Sequence, residues 1–147
     1  MDKSKWLKLD IQHFGNETTT YDFKKVSVIA AGTIITGWMD GDAIQSEKNE
    51  DDVTPHVGAG GDVTFAESTD ETGTITLTLK STSSSIPILK ALRDSKEMFQ
   101  LQIVDVNDNA FRAGGSECRI VKPPARTYGT EVTGTEWAIY VADYKEA

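Results

Sequence analysis

The side chains best suited to metal binding or near-neutral acid–base chemistry are few: His13, His56 and Cys118. A metal centre needs several His, Cys or carboxylate ligands converging on one point, and these three lie far apart in the chain. The densest acidic run holds Glu47, Glu50, Asp51 and Asp52. It lacks the alternating Asp/Asn positions and terminal Glu of a calcium loop, so it reads as a solvated or intersubunit acidic loop. His56, between Pro55 and Gly58, has no triad partner suggested by spacing and reads as a loop histidine rather than a general base. The run Gly58-Ala59-Gly60-Gly61 has the composition of a phosphate loop. Such a loop lies between a strand and a helix and carries a Lys-Ser/Thr pair or a third spaced Gly. Here a strand pattern follows and no Lys is near, which rules that reading out. Ser83, Ser84 and Ser85 lack the glycine-flanked elbow of a hydrolase serine. Cys118 lies in a strand pattern as a small core or half-buried residue. Arg112, Arg119, Lys122 and Arg126 have few aromatics between them, a weak basis for a nucleic-acid platform. No catalytic residue, metal site or cofactor is expected, and the sequence does not read as an enzyme.

The elements that carry these residues are mostly strands. The 147 residues suffice for one domain with a real core. With 23 Asp and Glu against 15 Lys and Arg, the surface is acidic. That argues against a protein that grips nucleic acid through its phosphates, but not against DNA sliding past it. A single cysteine makes no internal disulfide, in keeping with assembly in a reducing cytoplasm. The opening MDKSKWLKLDIQHFG is basic and amphipathic, without the apolar run of a signal peptide or membrane span.

Period-two alternation is clearest where Thr72, Thr74, Thr76, Thr78 and Lys80 interleave with Gly73, Ile75, Leu77 and Leu79. This predicts a long strand over 72–81 with one buried face and one wet threonine face. Further strands are expected over 21–31, 33–39, 43–48, 62–67, 98–106, 110–113, 117–121 and 130–144. The turns between them include Gly32, Asp40-Gly41 and Asn107-Asp108-Asn109. Gly114-Gly115 is either a bulge or a second turn. Residues 53–61, with Pro55 and three glycines, have few ways to form a helix or a long strand. Ser83–Ser85 followed by Ile86 and Pro87 predicts a helix start with a hydroxyl cap, and Ile86, Leu89 and Leu92 extend its stripe to about Lys96. Residues 1–20 read as an arm preceding a domain over 21–147. The arm is either a frayed terminus or a segment that docks on a neighbouring subunit, for which Trp6, Leu9 and Phe14 would be the anchors.

The order of these features resembles the small phage structural proteins that form the inner tube of a long tail, the major tail tube proteins. The residues carrying it are 51–61 (DDVTPHVGAGG), 72–79 (TGTITLTL), 83–92, Lys122-Pro123-Pro124, Glu131-Val132 and Glu136-Trp137. The resemblance implies a mainly β fold, a β-sandwich or partly closed barrel with one flanking α-helix. It further implies hexameric rings that stack into a tube, its inner wall a shared β-barrel through which DNA passes. Thr72, Thr74, Thr76, Thr78 and Lys80 would then line the tube wall. Asp42, Glu47, Glu50, Asp51, Asp52, Pro55, His56, Gly58, Gly60 and Gly61 would form the ring-stacking loop, its acids facing Lys3, Lys5, Lys8, Lys24 or Lys25 of another subunit. Implied partners are the chain itself and other tail proteins (sheath or tail terminator, tape measure, baseplate), with DNA only as cargo and no membrane. The implied place is a virion tail assembled in the bacterial host cytoplasm. The arm is longer and more apolar than the family pattern, and the resemblance does not separate contractile from non-contractile tails or from headless tail-like bacteriocins and injection systems. The competing reading is a β-sandwich module of a phage particle that binds a receptor or carbohydrate. Such modules cluster aromatics on a face or in loops, whereas Trp6, Trp38 and Trp137 lie in the arm or near strand patterns.

Overall fold

Among residues 18–147, which the computed structural model describes, the chain runs β1 (Val26–Ala30), β2 (Thr33–Ile34), β3 (Ile44–Lys48), β4 (Val53–Val57), β5 (Val63–Glu67), β6 (Gly73–Lys80), α1 (Ile86–Ser95), β7 (Phe99–Asp105), β8 (Phe111–Ile120), β9 (Gly134–Val141) and β10 (Lys145–Glu146). One antiparallel sheet follows the path β2-β1-β7-β8-β9-β6-β3, with β10 added beside β8, while β4 and β5 form a separate hairpin.

Alternation decides which face is buried. In β6, Gly73, Ile75, Leu77 and Leu79 point inward and Thr74, Thr76 and Thr78 stay half exposed; in β9, Thr135, Trp137, Ile139 and Val141 point inward. The two strands pair from Gly73↔Val141 to Lys80↔Gly134, so their apolar rows share one side. Val28 and Ala30 of β1, Leu101 and Ile103 of β7, and Cys118 and Ile120 of β8 join them in one core. Burying a Leu or Ile in this way contributes about 1.5–3 kcal/mol. One core enclosed by one sheet requires the sheet to curl. The fold is a mainly β sandwich, partly closed like a barrel, with α1 on its flank.

Two devices produce the curl. The first is a corner in β8. Its residues 111–115 and Cys118 pair with β7 while Ala113 and Gly114 also pair with β10, and its residues 118–120 pair with β9. The register shifts between Phe99 and Leu101, opposite the stretch from Gly115 to Cys118, and just before that stretch Gly114, paired with Gln102, holds φ +146°. A Cβ there would collide with the Leu101 carbonyl oxygen, so only glycine fits. The second device is the crossing from Ile35 to Ala43. Ile35 N–H donates to Val28 O of β1 (2.9 Å), whereas Met39 N–H donates to Thr78 O of β6 (3.1 Å), and Thr78 N–H donates to Ala43 O (2.8 Å). This segment therefore links the two ends of the sheet path.

The structure revises several element boundaries. The strand expected from Tyr21 starts only at Val26: Phe23–Lys25 is a 3-10 turn, because the Asp22 carboxylate accepts the Lys24 N–H at 2.9 Å and holds a local turn. Ala31 and Gly32 both have positive φ, as a two-residue hairpin needs, but β2 pairs for two residues and then departs into the crossing. Residues 53–57 do form a strand despite Pro55. Among the described residues the hairpin has no further strand beside it, and proline is tolerated on such an edge. Gly114-Gly115 is not a turn: the strand runs on through it to a bulge at Ser116-Glu117, so 110–113 and 117–121 belong to one strand, β8. The helix covers Ile86–Ser95, with Leu89 fully buried and Pro87 in its first turn. The preceding serines do not cap it. Ser85 Oγ accepts the Thr36 N–H (2.9 Å) and Ser83 Oγ donates to Thr36 O (2.6 Å), tying the helix start to the crossing.

Candidate assembly surfaces

The outward face of the sheet is a polar wall. Because directly opposed residues share a face, the register places Glu47, Thr74, Tyr140 and Arg119 in one row across β3, β6, β9 and β8. Gln45, Thr76 and Ala138 form the next row, and Thr78 with Glu136 the one after. Thr72 and Lys80 extend the ladder at its two ends. The charged groups on this face are Glu47, Glu136, Arg119 and Lys80, which cancel. The wall is thus close to neutral and carries hydroxyls rather than a cationic track. At the end of the sheet path β3 has β6 on one side and no strand on the other among the described residues, leaving a five-residue edge whose backbone groups can pair with another chain.

The β4–β5 hairpin stands apart from the core, and every one of its strand residues is exposed. Its base is polar. Asn49 N–H donates to Thr72 O (3.0 Å), Asn49 Nδ2 donates to Thr72 Oγ1 (2.9 Å), and Thr74 Oγ1 donates to Asn49 Oδ1 (2.7 Å). The Thr72 hydroxyl and N–H both donate to Asp70 Oδ1, at 2.6 and 2.8 Å, which holds that carboxyl below its usual range. Lys48 pairs with Asp52, and this contact raises the Lys48 ammonium pKa. At the tip, Gly58 N–H donates to Asp62 O (2.7 Å) and Gly61 N–H to Gly58 O (3.0 Å), a turn that uses the positive φ of Gly61. The glycine run therefore closes a hairpin.

The strongest electrostatic feature lies at the β8 corner. Asp143, in the turn after β9, accepts from Ser116 Oγ (2.6 Å), Ser116 N–H (3.0 Å) and Glu117 N–H (2.9 Å). The Ser116 hydroxyl and these amides hold its carboxyl down at about 2. It staples the bulged strand to the chain leaving β9. Beside it, the Tyr144 ring covers Gly73, whose missing Cβ makes room for it. Burial, with a 2.6 Å hydrogen bond to Glu146, raises the Tyr144 hydroxyl to about 12. Cys118 is fully buried, and desolvation pushes its thiol up to about 11.

The residues expected to act together are divided between two places. Thr72, Thr74, Thr76, Thr78 and Lys80 do share one face. Of the expected stacking loop, Glu50, Asp51, Asp52, Pro55, His56, Gly58, Gly60 and Gly61 belong to the hairpin and its base. Asp42 precedes β3 and Glu47 lies within β3, so neither is part of the hairpin. Asp52 already has a partner in Lys48 of the same chain. Lys24 and Lys25 lie exposed on the 3-10 turn, whereas Lys3, Lys5, Lys8, Trp6, Leu9 and Phe14 lie outside the described residues. Asn49, Asp70 and Asp143 had no part in the sequence reading. Asp70-Glu71-Thr72 is a local turn signature that reading could have used; the Asp143 contact, 27 residues distant from Ser116, has no local signature. Among the described residues no three His, Cys, Asp or Glu side chains gather where they could hold a metal ion, and no helix is long and apolar enough to cross a membrane.

No protein-family model and no curated protein matches this chain. Solved structures do match. A chain of the sheath–tube complex of an extracellular contractile injection system, PVC, in its extended state superposes with a TM-score of 0.59 at 10% identity, covering 92% of this chain and 96% of that one. A chain of the sheath/tube terminator of the same system gives 0.60 at 10% identity, covering 89% and 99%. A chain of a native gene transfer agent virion gives 0.60 at 14% identity, covering 84% and 95%. The resemblance to tail tube proteins first read from sequence motifs is thus borne out in the fold, which this chain shares with components of injection systems and phage-like particles.

Proposed function

We propose that this chain is a structural tail tube subunit that self-assembles into hexameric rings, and that stacked rings form the DNA-conducting inner tube of a long phage-type tail. The observation that carries the proposal is the polar wall of β3, β6, β9 and β8, which ends in an unpaired strand edge. A lone soluble domain gains little from an eight-residue strand whose wet face is threonines ending in Lys80, beside an open edge. A ring gains a continuous lining, since β3 can pair with the sheet of the next copy. On such a wall Arg119 and Lys80 are offset by Glu47 and Glu136, so it offers passing DNA no net positive charge. The shared fold supports the same role, including a place in the particle's tail and contacts with sheath, terminator, tape measure and baseplate proteins. Nothing in the site calls for catalysis or a cofactor, and assembly in the bacterial host cytoplasm accords with the buried single thiol.

The likeness to a sheath/tube terminator is as good as that to the sheath–tube complex, so a tube-end subunit is the second reading. Negative-stain microscopy with light scattering over a concentration and salt series tests both. Hollow tubes with sixfold averages are expected. Single rings that never stack favour the tube-end role. A strictly monomeric species throughout overturns both and returns the chain to the receptor- or carbohydrate-binding module.

A further inference from the structure

A groove opens onto the core beside β3, where β1 and β8 begin and β7 ends. Buried Ile103 and half-buried Val26, Ile44 and Phe111 line it, all of them part of the core or packed against it, and Tyr21 and Phe23 complete the lining. Tyr21 is 67% exposed and Phe23 38%. An apolar surface continuous with a core marks a place that another segment covers. The charged residues of the lining, Asp42 and Asp105, are both acidic.

The chain enters the described region beside this groove. Tyr21 and Asp105 also line an adjoining depression with Thr19, Thr20 and Asp108. Asn107 fixes the entry: its Oδ1 accepts the Asp22 N–H (3.0 Å) and its Nδ2 donates to Asp22 O (3.1 Å). Residues 1–17, which lie outside the described residues, carry Lys3, Lys5 and Lys8, opposite in sign to Asp42 and Asp105. Among them Leu7, Leu9 and Ile11 alternate with Lys8, Asp10 and Gln12, the period of an extended segment with one apolar side. Tyr21 lies ten residues after Ile11, a reach of up to about 33–36 Å, enough to fold back along a groove that Tyr21 itself lines. So short a tether also holds the arm at high local concentration. The other exposed apolar groove, at Met98 and Val121, lies among Arg93, Lys96 and Arg119, which would repel a basic arm. We infer that residues 7–11 lie extended in the Val26–Phe111 groove of their own chain, with Leu9 and Ile11 over Val26, Ile44 and Phe111 and Lys8 at the acidic rim. The inference goes beyond the tube proposal: it concerns a lone subunit, whose open core flank its own arm closes, and not a neighbouring copy.

The test uses the full chain in dilute solution, with Ile11→Cys paired with Ser46→Cys, which lines the groove, or with Lys25→Cys, exposed on the 3-10 turn. Cys118 stays in place, since its burial keeps it unreactive. Disulfide formation under a mild oxidant is followed by mass and on non-reducing gels. An arm free in solution would bridge Lys25 faster than Ser46, by roughly fourfold, because the loop it closes is shorter. An arm seated in the groove reverses the order, and the Ser46 bridge should form at least tenfold faster than the Lys25 bridge. Ile44→Cys replaces Ser46→Cys as a second groove position and should behave alike. Lys8→Glu should slow the groove bridge at least threefold, and adding Asp42→Lys should restore it. A faster Lys25 bridge, or no internal bridge to either groove position, overturns the inference. Bridged dimers in place of internally bridged monomers also overturn it and assign the arm to a second copy. None of these outcomes bears on the tube proposal, which stands or falls on the microscopy above.

Discussion

Gly114→Ala probes the corner that curls the sheet. At φ +146° an L-residue is strained by about 1–3 kcal/mol. The added Cβ would also strike the Leu101 carbonyl oxygen and lie 3.0 Å from Gln102 Cα. Both are backbone atoms of β7, so relief requires β7 and β8 to separate locally. That separation loses one or two ladder hydrogen bonds at about 1 kcal/mol each. The sum is about 2–5 kcal/mol, a large part of the ~5–15 kcal/mol that holds an ordinary domain. At roughly 3 °C per kcal/mol for a chain of this size, Tm should fall by about 6–15 °C. Gly60→Ala is the control: nothing lies within 4 Å of its added Cβ and its φ is not positive, so it should shift stability by less than about 1 kcal/mol. Thermal and urea unfolding in dilute solution, followed by the near-UV signal of the tryptophans, gives both values. A Gly114→Ala protein within 1 kcal/mol of the Gly60→Ala control would refute the claim that the corner demands glycine.

Asp143→Asn keeps the shape of the corner staple and removes its charge. A carboxyl held down at about 2 stabilises the fold fully above its unfolded pKa near 4 and loses that contribution as pH falls through 2. After allowance for solvent screening the variant should lose about 1 kcal/mol at pH 7. Wild type and variant should converge towards pH 2 in urea midpoints; an equal gap at both pH values would count against the charge. Trp137 is 2% exposed and its Nε1–H has no partner among the described residues. Trp137→Phe removes that unsatisfied donor, which returns about 1–3 kcal/mol against the smaller ring's lost packing. It should therefore lie within about 1 kcal/mol of wild type, whereas Trp137→Ala should lose about 3–5 kcal/mol. A Phe variant as unstable as the Ala variant would show that the indole N–H is satisfied after all.

Local pattern carried much of this protein. The Thr72–Lys80 ladder fixed the wet face of β6, since period two leaves a strand no choice of side once Ile75, Leu77 and Leu79 are buried. Met98–Val106 and Trp137–Val141 were legible for the same reason, and Pro87 with the Leu89 stripe located the helix. The order of these segments sufficed for the likeness to tail tubes. Tertiary structure decided what depends on contacts distant in sequence. Whether the chain turned at Gly114-Gly115 or ran on as one strand depended on β7, β9 and β10 lying beside it. The serines before the helix found Thr36 in place of their own turn. Pro55 and the glycines hid a hairpin, because propensity counts breakers and cannot see that a strand with a single neighbour tolerates them. Asp42 and Glu47 looked like one loop with Glu50–Asp52 because charge runs together along the chain. Pairing of β3 with β6 then turned Glu47 onto the wall, and left the hairpin's apolar face exposed.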